Sequence, residues 1–116
     1  MFEQCGFEYL DFSNINLNSI KNTTSMFSGC GLREIDFGDN SFENLEDMSS
    51  MFSACGNIET INLSNLTSKE IVCNSAFNDC TTLKEVFLNS GDTGKITKIK
   101  DFSTMFYDCI NLNSIN

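Results

Sequence analysis

Apolar residues return along this chain in one fixed wording. A Met-Phe or Ala-Phe pair opens each unit, at Met1, Met26, Met51, Ala76 and Met105, in three steps of 25 residues and one of 29. Three residues after each Phe stands a cysteine: Cys5, Cys30, Cys55, Cys80 and Cys109. An apolar triplet in the spacing L-x-x-L-x-L follows. The triplets are Phe7/Leu10/Phe12, Leu32/Ile35/Phe37, Ile58/Ile61/Leu63 and Leu83/Val86/Leu88, with a fifth begun at Leu112/Ile115. Self-similarity at this period marks a solenoid in which each unit is one coil. The apolar-x-apolar end of each triplet alternates as a strand does. Stacked coils set these strands side by side in a parallel sheet, about 4.8 Å apart.

The return path of each coil carries its own inward candidates: Ile15, Leu17 and Ile20, then Phe42, Leu45 and Met48, then Leu66, Ile71 and Cys73, then Ile96, Ile99 and Phe102. In two coils these fall nine, six and three residues before the Met-Phe pair. An apolar residue at every third position suits an extended or three-per-turn backbone. Ser25, Ser50, Ser75 and Thr104 stand just before the pair, where a hydroxyl caps the first amides of a helical turn. Gly6, Gly31 and Gly56 follow the cysteine, where such a turn stops on a left-handed residue. M-F-x-x-C therefore reads as one short helical turn. The insertion at 89–95, rich in polar residues and Gly, reads as a surface loop.

Strand alternation points three rows away from the core. The first is Glu8, Arg33, Glu59, Lys84 and Asn113, whose alternating signs pair neighbours. The second is Tyr9, Glu34, Thr60, Glu85 and Ser114, and the third Asp11, Asp36, Asn62, Phe87 and Asn116. Asp11 and Asp36 become like-charged neighbours, which costs stability without compensation. Phe87 is an outward aromatic, a residue type that concentrates interface energy. The candidate partner-binding face is therefore Tyr9, Asp11, Glu34, Asp36, Thr60, Asn62, Glu85 and Phe87. The other reading of this face is an ordinary solvated acidic surface.

The formal net charge of −9 argues against nucleic acid, whose phosphates want a basic patch, and against anionic membrane surfaces. No apolar run approaches the roughly 20 residues of a membrane helix. With no histidine, no phosphate loop and no converging acid–base pair, the chain reads as non-enzymatic, without cofactor or metal. The cysteines stack as a column of buried free thiols, because five members cannot all pair. Disulfides between some neighbours are the alternative that an oxidising location would favour. Asn22-Thr23-Thr24 and Asn65-Leu66-Thr67 are glycosylation sequons, relevant only in a eukaryotic secretory pathway.

The Met48-Ser49-Ser50-Met51-Phe52-Ser53-Ala54-Cys55 copy, the Met26–Phe37 copy and the A-F-x-x-C variant at Ala76–Cys80 resemble the BspA-like leucine-rich-repeat surface proteins. The resemblance covers all 116 residues. It implies an α/β solenoid with short parallel strands on the concave face, an irregular return path and one helical turn per coil. The whole chain is then a single domain of about four and a half coils, a fragment of a longer array. The resemblance also implies a cell-surface or secreted adhesin that binds a host or neighbouring-cell protein through the concave sheet or the 89–95 loop. A structural spacer presenting another domain is the second expectation. Uncapped coils add end-to-end self-association.

Overall fold

In the computed structural model, which describes residues 2–67, 70–88 and 98–115, each coil contributes a three-residue strand to one face. These are β1 (Tyr9–Asp11), β2 (Glu34–Asp36), β3 (Thr60–Asn62) and β5 (Glu85–Phe87), with a two-residue β7 (Ser114–Ile115) in the last coil. The central residue points in and its neighbours point out: Ile35 and Ile61 are buried between exposed flanks. All pairing is parallel. Tyr9 faces Glu34 and Asp11 faces Asp36; Thr60 faces Glu85 and Asn62 faces Phe87; Glu85 faces Ser114.

The face is nevertheless two sheets, β1-β2 and β3-β5-β7. The break has a sequence cause. Cys5 and Cys30 stand two residues before their first triplet residue, Phe7 and Leu32, whereas Cys55, Cys80 and Cys109 stand three before theirs. That extra residue enters between β2 and β3 and takes the two strands out of the ladder. A cavity of about 60 Å³ lies beside this junction, lined by Asp36, Phe37 and Asn40 from one coil and Asn62, Leu63 and Leu66 from the next.

The return path is more regular than expected. β4 (Glu70–Val72) pairs in parallel with β6 (Lys98–Asp101), and the single-residue bridges Asn22↔Asp47 and Asp47↔Val72 extend this second ladder back through the first coils.

No helix occurs among the described residues, so the expected helical turn per coil is corrected. M-F-x-x-C is instead a run of overlapping β-turns. In the second coil Met26 N–H bonds Thr23 O, Ser28 N–H bonds Ser25 O and Cys30 N–H bonds Phe27 O. The intervening amides turn outward: Ser25, Phe27 and Gly29 donate to Ser49, Met51 and Ser53 of the next coil. A helix bonds every amide within itself, whereas this turn spends every second amide on its neighbour. The hydroxyl residues are not helix caps. Ser25, Ser50, Ser75 and Thr104 have φ of 52–56°, at the third position of a turn, where a type II turn demands positive φ. The left-handed residue near the cysteine precedes it rather than follows it, at Gln4, Gly29, Ala54, Asp79 and Asp108. Gly6, Gly31 and Gly56 are not left-handed.

Every inner Phe of the opening pairs lies in one column. Phe2, Phe27, Phe52, Phe77 and Phe106 stack at ring separations of 5.7, 5.5, 5.8 and 5.3 Å. Phe12 and Phe37 stack in a second column beside it. Met26, Met51, Ala76 and Met105 are buried, as are Phe42, Leu45, Met48, Leu66, Ile71 and Cys73. Met1 and Ile96 lie outside the described residues. Four inward candidates are exposed instead: Phe7, Ile15, Phe102 and Ile115. All four belong to the first coil, or to the last coil and the return path leading into it, where a neighbour packs on one side only. Ile20 and Ile99 are half-buried.

Gly38 is the glycine that the stack depends on. It has φ of +56°, and a Cβ there would meet the Cα and Cβ of Ser13, one coil earlier, at 2.8 Å. Left-handed strain costs a non-glycine residue on the order of 1–3 kcal/mol, and the clash adds to it. Gly38→Ala should therefore lower the urea unfolding midpoint by the equivalent of at least about 2 kcal/mol. A midpoint equal to wild type would show that the two coils have room to part.

Candidate interaction surface

The outward rows come together as the alternation predicts. In the first row Arg33 Nε lies 4.0 Å from Glu8 Oε1 and Lys84 Nζ lies 3.3 Å from Glu59 Oε1. These pairs are well exposed and worth at most about 1 kcal/mol each. They neutralise the row locally.

The third row has a local task. Asp11 Oδ1 accepts the Ser13 N–H at 2.8 Å, Asp36 Oδ1 accepts the Gly38 N–H at 2.8 Å, and Asn62 Oδ1 accepts the Ser64 N–H at 2.9 Å. Each is an Asx turn that ends its strand. Asp47–Ser49 and Asp101–Ser103 repeat the device on the second ladder. The hydrogen bonds from Ser13 hold the Asp11 carboxyl below the usual carboxylate range, and those from Ser103 do the same for Asp101. Amides thus supply the compensation that the Asp11–Asp36 neighbourhood needs. Phe87, expected as an outward anchor, is half-buried in β5.

The second row is the open one. Tyr9 and Glu34 are exposed and face each other; Thr60 is exposed opposite a half-buried Glu85. Partial burial and the carboxylates of Asp11, Asp36 and Glu34 push the Tyr9 phenol up. Phe7, also exposed, lies two residues before it. The 89–95 segment, expected from its sequence to be a surface loop, and Asn116 lie outside the described residues.

A second hollow, of about 300 Å³, opens on the return path between Ser13, Asn14, Ile15, Asn16, Asn18, Asp39 and Asn40. It was not foreseen as a site, although the alternating Asn14, Asn16 and Asn18 are a visible signal. Two of these asparagines have structural partners: Asn16 Oδ1 accepts the Asn18 N–H, and Asn18 Oδ1 accepts the Ser41 and Phe42 N–H groups of the next coil.

The six cysteines are free thiols. Four donate to a Phe carbonyl one coil earlier: Cys30 to Phe2 at 2.7 Å, Cys55 to Phe27 at 3.1 Å, and Cys80 and Cys109 to Phe52 and Phe77 at 2.9 Å. Burial pushes the Cys55 and Cys73 thiols up to about 12, and raises Cys80 and Cys109 as well. Such thiols stay protonated at neutral pH and are poor nucleophiles. Among the described residues no group of three or more His, Cys, Asp or Glu could hold a metal ion, and no helix is long and apolar enough to cross a membrane.

One apolar column, one thiol column and short parallel strands, each renewed once per coil, define a repeat protein. A family model for the BspA type leucine rich repeat region matches residues 1–116 in 6 copies, and the chain belongs to that family. Proteins built on this repeat are typically surface proteins and generally not enzymes. Neither the curated proteins nor the solved structures gave a match.

Proposed function

We propose that this chain is a non-enzymatic, adhesin-like binding domain of a cell-surface protein, and that its ligand is a protein on a host or neighbouring cell. The observation that carries the reading is the second outward row, where exposed Tyr9 sits against Glu34 in one parallel pair and exposed Thr60 against Glu85 in the next. An aromatic ringed by carboxylates suits a partner patch that is basic around an apolar centre. The Asp11, Asp36 and Asn62 side chains contribute by fixing the strand ends, and Phe87 by supporting Asn62 across the register. The 89–95 loop remains a second candidate contact within the same proposal.

Beads coated with the domain should adhere to a cell layer. Tyr9→Ala combined with Glu34→Lys and Glu85→Lys should reduce adherence about tenfold, the loss expected for one interface hot spot. Phe87→Ala should reduce it less. Unchanged adherence with the triple variant would place the contact elsewhere.

The Asx turns favour a second reading, a spacer that lifts another domain, because they assign part of the acidic face to the fold itself. Beads coated with the wild-type domain would then bind no better than uncoated beads. Self-association belongs to the same proposal. Phe102 and Ile110, 68% and 75% exposed in the last coils, and Phe7 and Ile15 in the first, suit stacking of copies end to end. A light-scattering mass independent of concentration would remove that element.

A further inference from the structure

The thiol column has one member unlike the rest. Cys55, Cys80 and Cys109 point at carbonyl oxygens, but the Cys5 sulfur lies 2.7 Å from the Cys30 sulfur. Non-bonded heavy atoms ordinarily sit about 3.5–4.0 Å apart. This is the one sulfur–sulfur contact recorded among the described residues. The backbone already holds the two cysteines in register. Gly31 N–H bonds Cys5 O at 3.1 Å, and Phe2 N–H and Gln4 N–H bond Met26 O and Ser28 O. Neighbouring strands in such a ladder are about 4.8 Å apart, inside the roughly 4.4–6.8 Å Cα separation that a disulfide needs. Exposure also differs along the column. Cys5 is half-buried at its edge, while Cys30 is 1% exposed behind it.

We propose that Cys5 and Cys30 are a dithiol site that a disulfide oxidant converts to a covalent clamp between the first and second coils. The oxidant class is a small soluble disulfide such as oxidised glutathione. The Cys5 thiol loses its proton and its sulfur attacks the oxidant. One sulfur–sulfur bond breaks, one forms, and the first glutathione leaves as thiolate. The Cys30 thiol then loses its proton, and its sulfur displaces the second glutathione from Cys5. In sum, two protein thiols and one glutathione disulfide give one protein disulfide and two glutathione thiols. The two electrons and two protons lost by the protein are gained by glutathione. The Phe2 carbonyl gives up the Cys30 thiol but keeps the Cys5 N–H as donor, so closure strands no buried acceptor. The deeper thiols stay reduced, because the Cys55 and Cys80 thiols are directed at the Phe27 and Phe52 carbonyls, away from the solvent that carries the oxidant.

The whole chain, equilibrated at pH 8 with oxidised glutathione, is quenched, alkylated in denaturant and digested with trypsin without reduction. Cleavage after Lys21 and Arg33 places Cys5 and Cys30 on separate peptides. The expected product is peptide 1–21 joined to peptide 22–33, lighter than their sum by two hydrogens, with the other four cysteines alkylated. The joined peptide should vanish with dithiothreitol and be absent from Cys5→Ser and Cys30→Ser. The thermal midpoint should rise on oxidation in wild type and stay unchanged in Cys5→Ser, whose half-buried site tolerates the change. Alkylation of both Cys5 and Cys30 after oxidation would overturn the proposal. So would a link between any other pair, or a Cys5–Cys5 link between two chains.

Discussion

Truncating Phe52 to alanine is expected to lower the unfolding free energy by about 3–5 kcal/mol, the usual cost of removing a buried aromatic ring. Phe52 is fully buried at the middle of the aromatic column. Its ring stacks on Phe27 at 5.5 Å and on Phe77 at 5.8 Å, and meets Phe37 edge-on at 6.4 Å. Aromatic pairs of this kind add about 0.5–1.5 kcal/mol beyond the area they bury. Stability in a repeat protein comes largely from contacts between adjacent coils, so a gap at mid-stack weakens two interfaces together. Phe106 is half-buried and has one stacking partner in its column, Phe77. Phe106→Ala should cost about half as much. Urea titrations of both variants check the ranking. Equal losses at the two sites, or a Phe52 loss below about 1 kcal/mol, would show that the column is not what joins the coils.

The second large effect is expected at Asn40, a polar residue only 8% exposed. Its Oδ1 accepts the Leu17 N–H at 2.8 Å. Its amide group lies 2.9 Å from Ile15 O, 2.9 Å from Phe37 O and 3.1 Å from Phe12 O. One side chain thereby ties the bend of the first coil to the bend of the second. Leu66 holds the same place in the third coil, three residues after Leu63 as Asn40 is three after Phe37, and both amides bond that earlier residue. Volume is therefore no obstacle to Asn40→Leu. What the substitution removes is the partner of the buried Leu17 N–H and a donor to Ile15 O. A buried polar group left unmatched costs about 1–3 kcal/mol, so a loss of about 2–4 kcal/mol is expected. Asn65→Leu is the control. Asn65 is exposed and donates one bond, to Gly38 O, so its loss should stay near about 1 kcal/mol. If Asn40→Leu were as stable as wild type, the apolar residue of the third coil would be interchangeable with the amide of the second.

The rows, the Phe column and the thiol column were legible in the sequence because each depends only on recurrence at a near-constant step. Leu10, Ile35, Ile61 and Val86 fall in register wherever the interval is kept. The turn was not legible. A hydroxyl residue before an apolar pair signals a helix cap, yet the same residue at Ser50 takes a left-handed conformation, because the competing bonds lie one coil away. Local preference lost to a ladder that no single copy reveals. Asn40 was missed for a related reason: asparagine is common here, and only a neighbouring coil turns this one into a buried connector. The β2–β3 break was written in the sequence, as the change from Cys30-x-Leu32 to Cys55-x-x-Ile58, but a reading based on the Met-Phe interval passes over it.

The candidate surface was half legible. Alternation placed Tyr9, Glu34 and Thr60 correctly on the outside, whereas Glu85 is half-buried. It could not show that Asp11, Asp36 and Asn62 would bend back to their own backbone, because D-x-S and D-x-G are as compatible with an open carboxylate as with an Asx turn.

The alternate amides of the turn column all run one way. Ser25, Phe27 and Gly29 donate forward, and so do Ser50, Phe52 and Ala54, then Ser75, Phe77 and Asp79. The column accordingly has a polarity, with its N–H groups directed at the leading edge and its carbonyls at the trailing one. Two copies meeting by their leading edges would set N–H against N–H. Only leading-to-trailing contact matches donor with acceptor, so any fibre these coils built would have distinct ends and a single orientation of its subunits.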